Sequence, residues 1–504
     1  KKIWELSPAC IICPAMARNS GGTMKVSEYT SRLESTLIHP IIRSHKAYYG
    51  LVALLVLMVL WAGFAWSVQL QRGLVVTGLN DMVLWGFYIT NFVFFIGISH
   101  AGTLISAILR VTNAQWRTSI TRVAEVITVV ALMTGASMIV IDMGRPDRVL
   151  NIFIFGRIQS PLVWDLVAVT TYLTGSLIYL YLPLIPDIAI LRDRLANKEK
   201  IRELTYKTIG HSGRIIERES LRISNFRLAF YTMLAAGWRN TTEQKKRLEL
   251  GISIMAWLII PIAVSVHTVV SWVFAMTVRV GWNSTVFGPY FVVGAIFSGI
   301  ASLLIAMALF RKALHLEEYI TIKQFKKLGL LLLVLDGVYL YFTAGEYLTV
   351  GYKLAESEKL LLTLLFVGEQ APLFWGFVVG GMLIPGALLA IPKTRTIPGI
   401  IIASILINIG MWIKRFVIVV PSLQVPLLPF DFGTYRATWV EWSITAGAFA
   451  GFSLLYVLFS KVFPMISIWE MAEEHEKESH EAVAEEQSAK VPSETYSHRR
   501  LMRN

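Results

Sequence analysis

Ten stretches of the chain stay apolar for about 20 residues, the length that crosses a hydrocarbon core as a helix. They lie at 47 to 69, 82 to 108, 119 to 142, 163 to 186, 249 to 275, 288 to 311, 328 to 349, 371 to 391, 397 to 420 and 442 to 463. An even number of crossings puts both termini on one side. Segments on that side (1 to 46, 109 to 118, 187 to 248, 310 to 327, 392 to 396) hold 7, 2, 14, 5 and 2 Lys or Arg. Those on the other side (70 to 81, 143 to 162, 276 to 287, 350 to 370, 421 to 441) hold 1, 3, 1, 2 and 1. Basic loops stay inside, so a multi-pass protein of the cytoplasmic (inner) membrane is expected, with both termini cytoplasmic.

Composition agrees. Of 504 residues 55% are hydrophobic and 16% charged, against about 25% charge in soluble domains. The net charge of +13 follows from topology and calls for lipid head groups, with no nucleic acid. Two cysteines and nine histidines cannot furnish a zinc array or the thiolates of an iron–sulfur cluster, so a redox metal is expected on a partner. Cys10 and Cys13 form a lone C-x-x-C, weak as a metal or redox motif. Lys1, Lys2 and the apolar run from Pro8 to Ala17 faintly imitate a secretory signal, while Met24 could equally be a start. The Glu-rich tail reads as an amphipathic beginning that fades into disorder.

An internal repeat sharpens the fold. Gly97 and Gly102 in FFIGISHAGTLI recur as Gly294 and Gly299 in VVGAIFSGIASLL. Both segments run from outside to inside, so a duplication would be parallel. The expected fold is an all-α integral membrane protein of about ten transmembrane helices, with two four-helix bundles (spans two to five and six to nine) and one flanking helix at each end. The plan is a cytoplasmic segment 1–46, a flanking helix 47–69, a first bundle 82–275 including the cytoplasmic loop 187–248, a second bundle 288–420, a last helix 442–463 and an acidic cytoplasmic tail 464–504. His100 stands in the first copy where Phe297 stands in the second, which assigns polar chemistry to the first.

Ionisable residues inside a membrane are costly and are functional candidates by default. Asp142 closes span three and Asp165 opens span four at the outer face; His267, Glu346 and Lys414 with Arg415 fall in the outer parts of spans five, seven and nine. Capping, snorkelling and interfacial pairing explain such residues as readily as function does. His100 and His267 are the histidines within spans, which raises a shared haem. Counted from the outer span ends they lie about 27 and 12 Å deep, and axial ligands must share a level, which argues against it. Asn91, Ser99, His100, Glu125 and Asp336 are either packing glue or a string that conducts protons. Trp85, Phe87, Tyr88, Phe92, Phe94 and Phe95 are either packing or the lining of a groove for an apolar tail.

The segments WGFYITNFVFFIGISHAGTLISAIL (85 to 109), QWRTSITRVAEVIT (115 to 128), DMGRP (142 to 146), SPLVWD (160 to 165), SVHTVVSW (265 to 272), GWNSTVFGPYFVVGAIFSG (281 to 299), NIGMWIKRFVIVV (408 to 420) and TWVEW (438 to 442) resemble the NrfD/PsrC family of quinone-reactive membrane subunits. Within it the pattern is similar to the ten-helix ActC subunit of alternative complex III, which tends to carry His at the Asp142 position. The resemblance implies a subunit not catalytic alone, without haem or metal, that binds quinol or quinone of the menaquinone or ubiquinone type near the outer face. It implies electron exchange with an outer iron–sulfur subunit, itself joined to a molybdopterin-type or cytochrome c partner, beside other membrane subunits.

Carried onto matching positions, the family pattern makes His100, Asp142, Arg145 and Asp165 the candidates for quinone binding or proton relay. His267, Asp336, Glu346 and Arg415 are the further polar candidates. Quinol oxidation releases two protons with two electrons, and a histidine or a partly buried carboxylate can accept one near neutral pH; Arg145 would hold one carboxylate ionised or steady a semiquinone. Proton translocation could accompany the redox step. The alternatives are an anchor of a polysulfide reductase-like molybdopterin enzyme running in the reductive direction, and a secondary transporter. A parallel repeat and charges gathered near one surface speak against the transporter.

Overall fold

The computed structural model describes residues 26–42, 46–112, 114–196, 225–428 and 430–489. Cys10, Cys13, Met24 and the middle of the 187–248 loop lie outside the described residues. All regular elements among the described residues are helices, and ten are long and apolar enough to cross a membrane: α1 (Lys46–Arg72), α2 (Phe87–Val111), α3 (Thr121–Asp142), α4 (Pro161–Ala196), α5 (Thr242–Ala275), α6 (Phe287–Ala313), α7 (Ile322–Lys353), α8 (Ala371–Ala390), α9 (Ile397–Gln424) and α10 (Trp439–Val462). Each covers one apolar stretch of the sequence. The side that carries the Lys- and Arg-rich segments is called here the basic face, the other the sparse face.

Local chemistry sets the helix starts. Thr241 accepts from the Gln244 amide to cap α5, and Thr321 with Gln324 forms a capping box on α7. Thr438 with Glu441 does the same on α10, the Glu441 carboxylate accepting from the Thr438 amide at 2.9 Å. These are the side-chain acceptors that orphaned first-turn N–H groups require. Pro183 and Pro186 do not end α4, which continues to Ala196. α8 is composite, with a π-helical middle, Gly376–Leu383.

Two compact units are distinguished: Leu37–Ser467, which holds all ten long helices, and Lys1–Thr36 with Ile468–Asn504. In the smaller unit the tail forms a helix over Ile468–Ala489, and Tyr29 stacks on His475 with ring centroids 3.9 Å apart. In the larger unit α2, α3, α4 and α5 pack together, as do α6, α7, α8 and α9, while α1 pairs with α10. α2 is central: its apolar window is 88% buried, against 11% for α1. Leu54, Leu57, Leu60, Trp61 and Phe64 of α1 are exposed, as a lipid-facing rim helix requires.

Close helix contact depends on a few glycines. A Cβ at Gly102 would lie 2.0 Å from the Ala124 carbonyl oxygen and 2.3 Å from Thr128 Oγ1. Because the obstacle is backbone, Gly102→Ala must push α2 away from α3, and a loss of about 1–3 kcal/mol is expected, measurable as a lower midpoint of thermal unfolding in detergent. The aromatic row of α2 also settles as packing. Phe87, Tyr88, Phe92, Phe94 and Phe95 are buried; Phe87 meets Trp412 and Trp442, and Phe95 meets Phe449.

Candidate functional site

The sparse-face rim is built from four elements. Tyr88 of α2 donates to Gln69 Oε1 of α1 at 2.7 Å, and Gln69 Nε2 donates to the carbonyl of Ile141 on α3. Glu441, fully buried at the start of α10, accepts from the Gly78 amide at 2.7 Å and from the Tyr435 hydroxyl at 2.6 Å. Burial, with the Glu441 carboxylate beside it, pushes the Tyr435 phenol up, so it remains a donor. Asp142, within electrostatic reach of Glu441, carries a buried Oδ1 with no partner, and Asp165 does the same. Orphaned carboxyl oxygens in a low-dielectric setting are positions that a hydroxyl donor would satisfy.

Arg145 departs from expectation. It is exposed and forks onto Asp147, with Nε–Oδ1 3.1 Å and Nη2–Oδ2 3.0 Å, and this hydrogen-bonded pairing holds the Asp147 carboxyl below its usual range. The carboxylate it steadies is therefore Asp147 of its own turn, because the GRP corner carries the side chain outward into water.

The larger correction concerns the histidines. Their ring centroids are 3.6 Å apart, and both residues are fully buried. The depth mismatch expected from residue counting is not found: α2 begins at Phe87 rather than 82, which accounts for about 7.5 Å of it. His100 Nε2 is committed to the Ala263 carbonyl. His100 Nδ1 faces the Ile96 carbonyl at 3.2 Å. A neutral imidazole has one N–H, so two carbonyl oxygens on its two nitrogens satisfy fully only the protonated ring. His267, by contrast, has no partner on either nitrogen. The neutral His100 ring thus serves one of the two carbonyls it faces, and the neighbouring ring keeps both nitrogens open.

Polar groups continue from the pair toward both faces. Tyr172 packs on His100 with centroids 5.1 Å apart and donates to the Ser99 carbonyl at 3.1 Å. Asp165 sits two helical turns, about 10 Å, above Tyr172 on α4. Below, Ser106 donates to Glu125 Oε1 at 2.6 Å and meets Tyr179 at 3.2 Å; deeper still, Arg122 pairs with Asp187 and donates to the Pro183 carbonyl at 2.8 Å. Asn91 does not belong to this ladder, being tied to Thr445 and Trp412. Asp336 lies in the other bundle, against Gly386 of α8.

Arg415 links the bundles. Its Nη2 lies 3.7 Å from where a Gly97 Cβ would be and 3.2 Å from where a Gly294 Cβ would be. The two glycines of the internal repeat thus flank one guanidinium, which also stands 4.9 Å from the centroid of the Phe291 ring. Nη2 has no hydrogen-bond partner. Glu346 pairs with Lys414 within the second bundle.

Residues 75–426 match the family described as polysulphide reductase, NrfD. The chain is a member of the NrfD family. Among its relatives is a protein of Halobacterium salinarum named as a candidate C-type membrane component of dimethyl sulfoxide reductase, 28% identical over 281 residues, 55% of each chain. The C component of selenate reductase of Mesobacillus selenatarsenatis is 23% identical over 414 residues, 79% of this chain and 90% of the relative. The integral membrane subunit of menaquinone reductase of Nitratidesulfovibrio vulgaris is 24% identical over 411 residues, 80% and 88%. The match to the first spans about half of that relative's length.

For this NrfD protein, sequence reasoning missed Tyr172, Glu441 and the Arg122–Asp187 pair. Glu441 was detectable: T-x-x-E ahead of an apolar run is a capping signature. Asp187 was hidden behind two prolines that look like a helix end, and Tyr172 resembles any aromatic residue in an apolar span.

Proposed function

We propose that this chain is the quinone-reactive membrane subunit of a multi-subunit oxidoreductase, working with its basic face toward the cytoplasm. The observation that carries the reading is the buried His100–His267 pair with two carbonyls on His100, set beneath the unpartnered carboxyl oxygens of Asp142 and Asp165. These groups fit a dihydroxy aromatic head group: the carboxylates accept from its hydroxyls, and the histidines take up or return the protons that accompany its electrons. The ladder through Ser106, Glu125 and Asp187 supplies a route for those protons toward the cytoplasm. Names such as menaquinone reductase membrane subunit among the relatives support the same reading.

The electrons leave or arrive through a partner docked on the sparse face. There the 143–160 segment between Asp142 and Asp165 exposes Leu150, Phe153, Ile154, Phe155 and Ile158, an apolar patch that a soluble iron–sulfur subunit would cover. A photoreactive quinone analogue irradiated on the purified complex tests the site. Label is expected on peptides of α2 through α5; label confined to α6 through α9 would refute the assignment to the first bundle.

A further inference from the structure

Three buried cations of the long helices are met in different ways. Arg122 pairs with Asp187, and Lys414 Nζ stands 3.3 Å from Glu346 Oε2. Arg415, the next residue on α9 and fully buried, has no carboxylate partner among the described residues. Its Nη2 makes no hydrogen bond. The guanidinium instead faces the Phe291 ring at 4.9 Å, with the phenols of Tyr290 and Tyr339 within electrostatic reach. Ring faces and neutral phenols offer only partial charge, and an ion buried without full compensation costs several kcal/mol. Stability alone would place an apolar residue here.

What lies beside the charge is the histidine pair. Gly97, whose missing side chain leaves room for Nη2, precedes His100 by three residues and so shares its face of α2. Both His100 and His267 are within electrostatic reach of the guanidinium. Buried aromatic rings screen this gap from the sparse face: Phe291 meets Phe287 and Phe274 with centroids 4.7 and 5.9 Å apart, and Phe274 meets Trp282 at 5.0 Å. Charges interact far more strongly in such a setting than beside water. The titratable and charged groups facing the pair are the two rings themselves, Tyr172 on α4 and Arg415 on α9. From α3 and α6 come hydroxyls, Thr128 donating to the Ser99 carbonyl at 2.7 Å and Ser298 beside Gly97.

We propose that Arg415 is a positioning residue which the second bundle supplies to the first: a fixed positive charge that keeps the His100–His267 pair neutral at rest, so that a proton accepted there is passed on and not stored. The two carbonyls on His100 invite a proton onto that ring. The guanidinium opposes it, because two like charges in a dry gap repel. Arg415 itself neither takes up nor gives a proton, since a guanidinium stays charged in proteins. Its part is therefore purely electrostatic, and an uncharged side chain cannot perform it. The use of the pair in turnover rests on the quinone reading above; the effect of the charge on the rings does not.

The test reads the rings directly. In the whole complex, reconstituted in liposomes with nitrogen-15 histidine, solid-state NMR tells imidazole from imidazolium, and the signals lost in His100→Leu and in His267→Leu identify the pair. In resting wild type both rings are expected to be neutral at about pH 6, where an unperturbed histidine with its midpoint near 6.5 is mostly charged. In Arg415→Met the midpoint of the pair should rise by at least about one pH unit, the lower range for a neighbouring charge. The acid limb of kcat/KM for quinol oxidation, which reports the base of the free enzyme, should rise with it. Phe291→Leu, which removes the ring against the guanidinium and keeps the charge, should leave both where they are. Imidazolium from the pair in resting wild type at that pH, an Arg415→Met complex whose rings titrate no higher than wild type's, or an equal rise in Phe291→Leu overturns the proposal. Should Arg415→Met fail to assemble, Arg415→Gln removes the same charge and takes its place. If wild type shows no quinol turnover, the quinone reading fails while the ring titration still decides the role of Arg415.

Discussion

A His100→Leu variant is expected to lose quinol turnover by at least about 100-fold, the lower range for removing a positioned proton acceptor, while the complex still assembles. Leucine fills the ring's volume, and the two carbonyls it abandons lie inside helices, Ile96 in α2 and Ala263 in α5, where backbone N–H groups remain as partners. The loss should fall on the maximal rate more than on apparent quinol affinity, because Asp142 and Asp165 are untouched. His267→Leu serves as the comparison: it removes a ring that makes no hydrogen bond, so its effect on stability should be small. Turnover kinetics of the two variants, read against their thermal unfolding midpoints, check the expectation; equal turnover in His100→Leu and wild type would refute the proton role.

The largest effect on stability is expected from Asp187→Leu. Arg122 is 1% exposed and its partners in the described residues are Asp187 and the carbonyls of Pro183 and Pro464. Removing the carboxylate leaves a guanidinium uncompensated in the protein interior, at a cost of about 3–5 kcal/mol. Arg122→Met made in the same chain should restore most of it, since an apolar pair of similar volume packs as well as an ionic one. A thermal unfolding series of the two single variants and the double variant measures the coupling; strict additivity would show that the pair does not act as a unit.

The ten crossings were legible because lipid leaves the sequence no alternative: every spanning segment must be apolar for a full bilayer thickness. Helix ends were less so. The fourth apolar stretch ends at 186, yet the helix runs on to Ala196, which buries Asp187 and makes an expected loop residue an ion-pair partner. The His100–His267 contact was hidden by the same imprecision, since a few residues of boundary error at 1.5 Å each exceed the reach of a side chain. Individual ionisable residues were visible as costly exceptions in apolar spans; their partners were not. Nothing local in GISHAG and SVHTVVS announces that two helices bring those rings together, and Arg145 shows the converse, a motif residue whose side chain turns away from the buried carboxylates.

The placement of Arg415 between Gly97 and Gly294 carries an evolutionary consequence. If the halves descend from one ancestral bundle, each inherited the same notch, and a single cation now occupies both. A Cβ at Gly294 would press on Tyr339 at 2.7 Å and on the guanidinium at 3.2 Å, while one at Gly97 would make only ordinary contacts, the nearest at 3.5 Å, so the copy in the second half is the less free to drift.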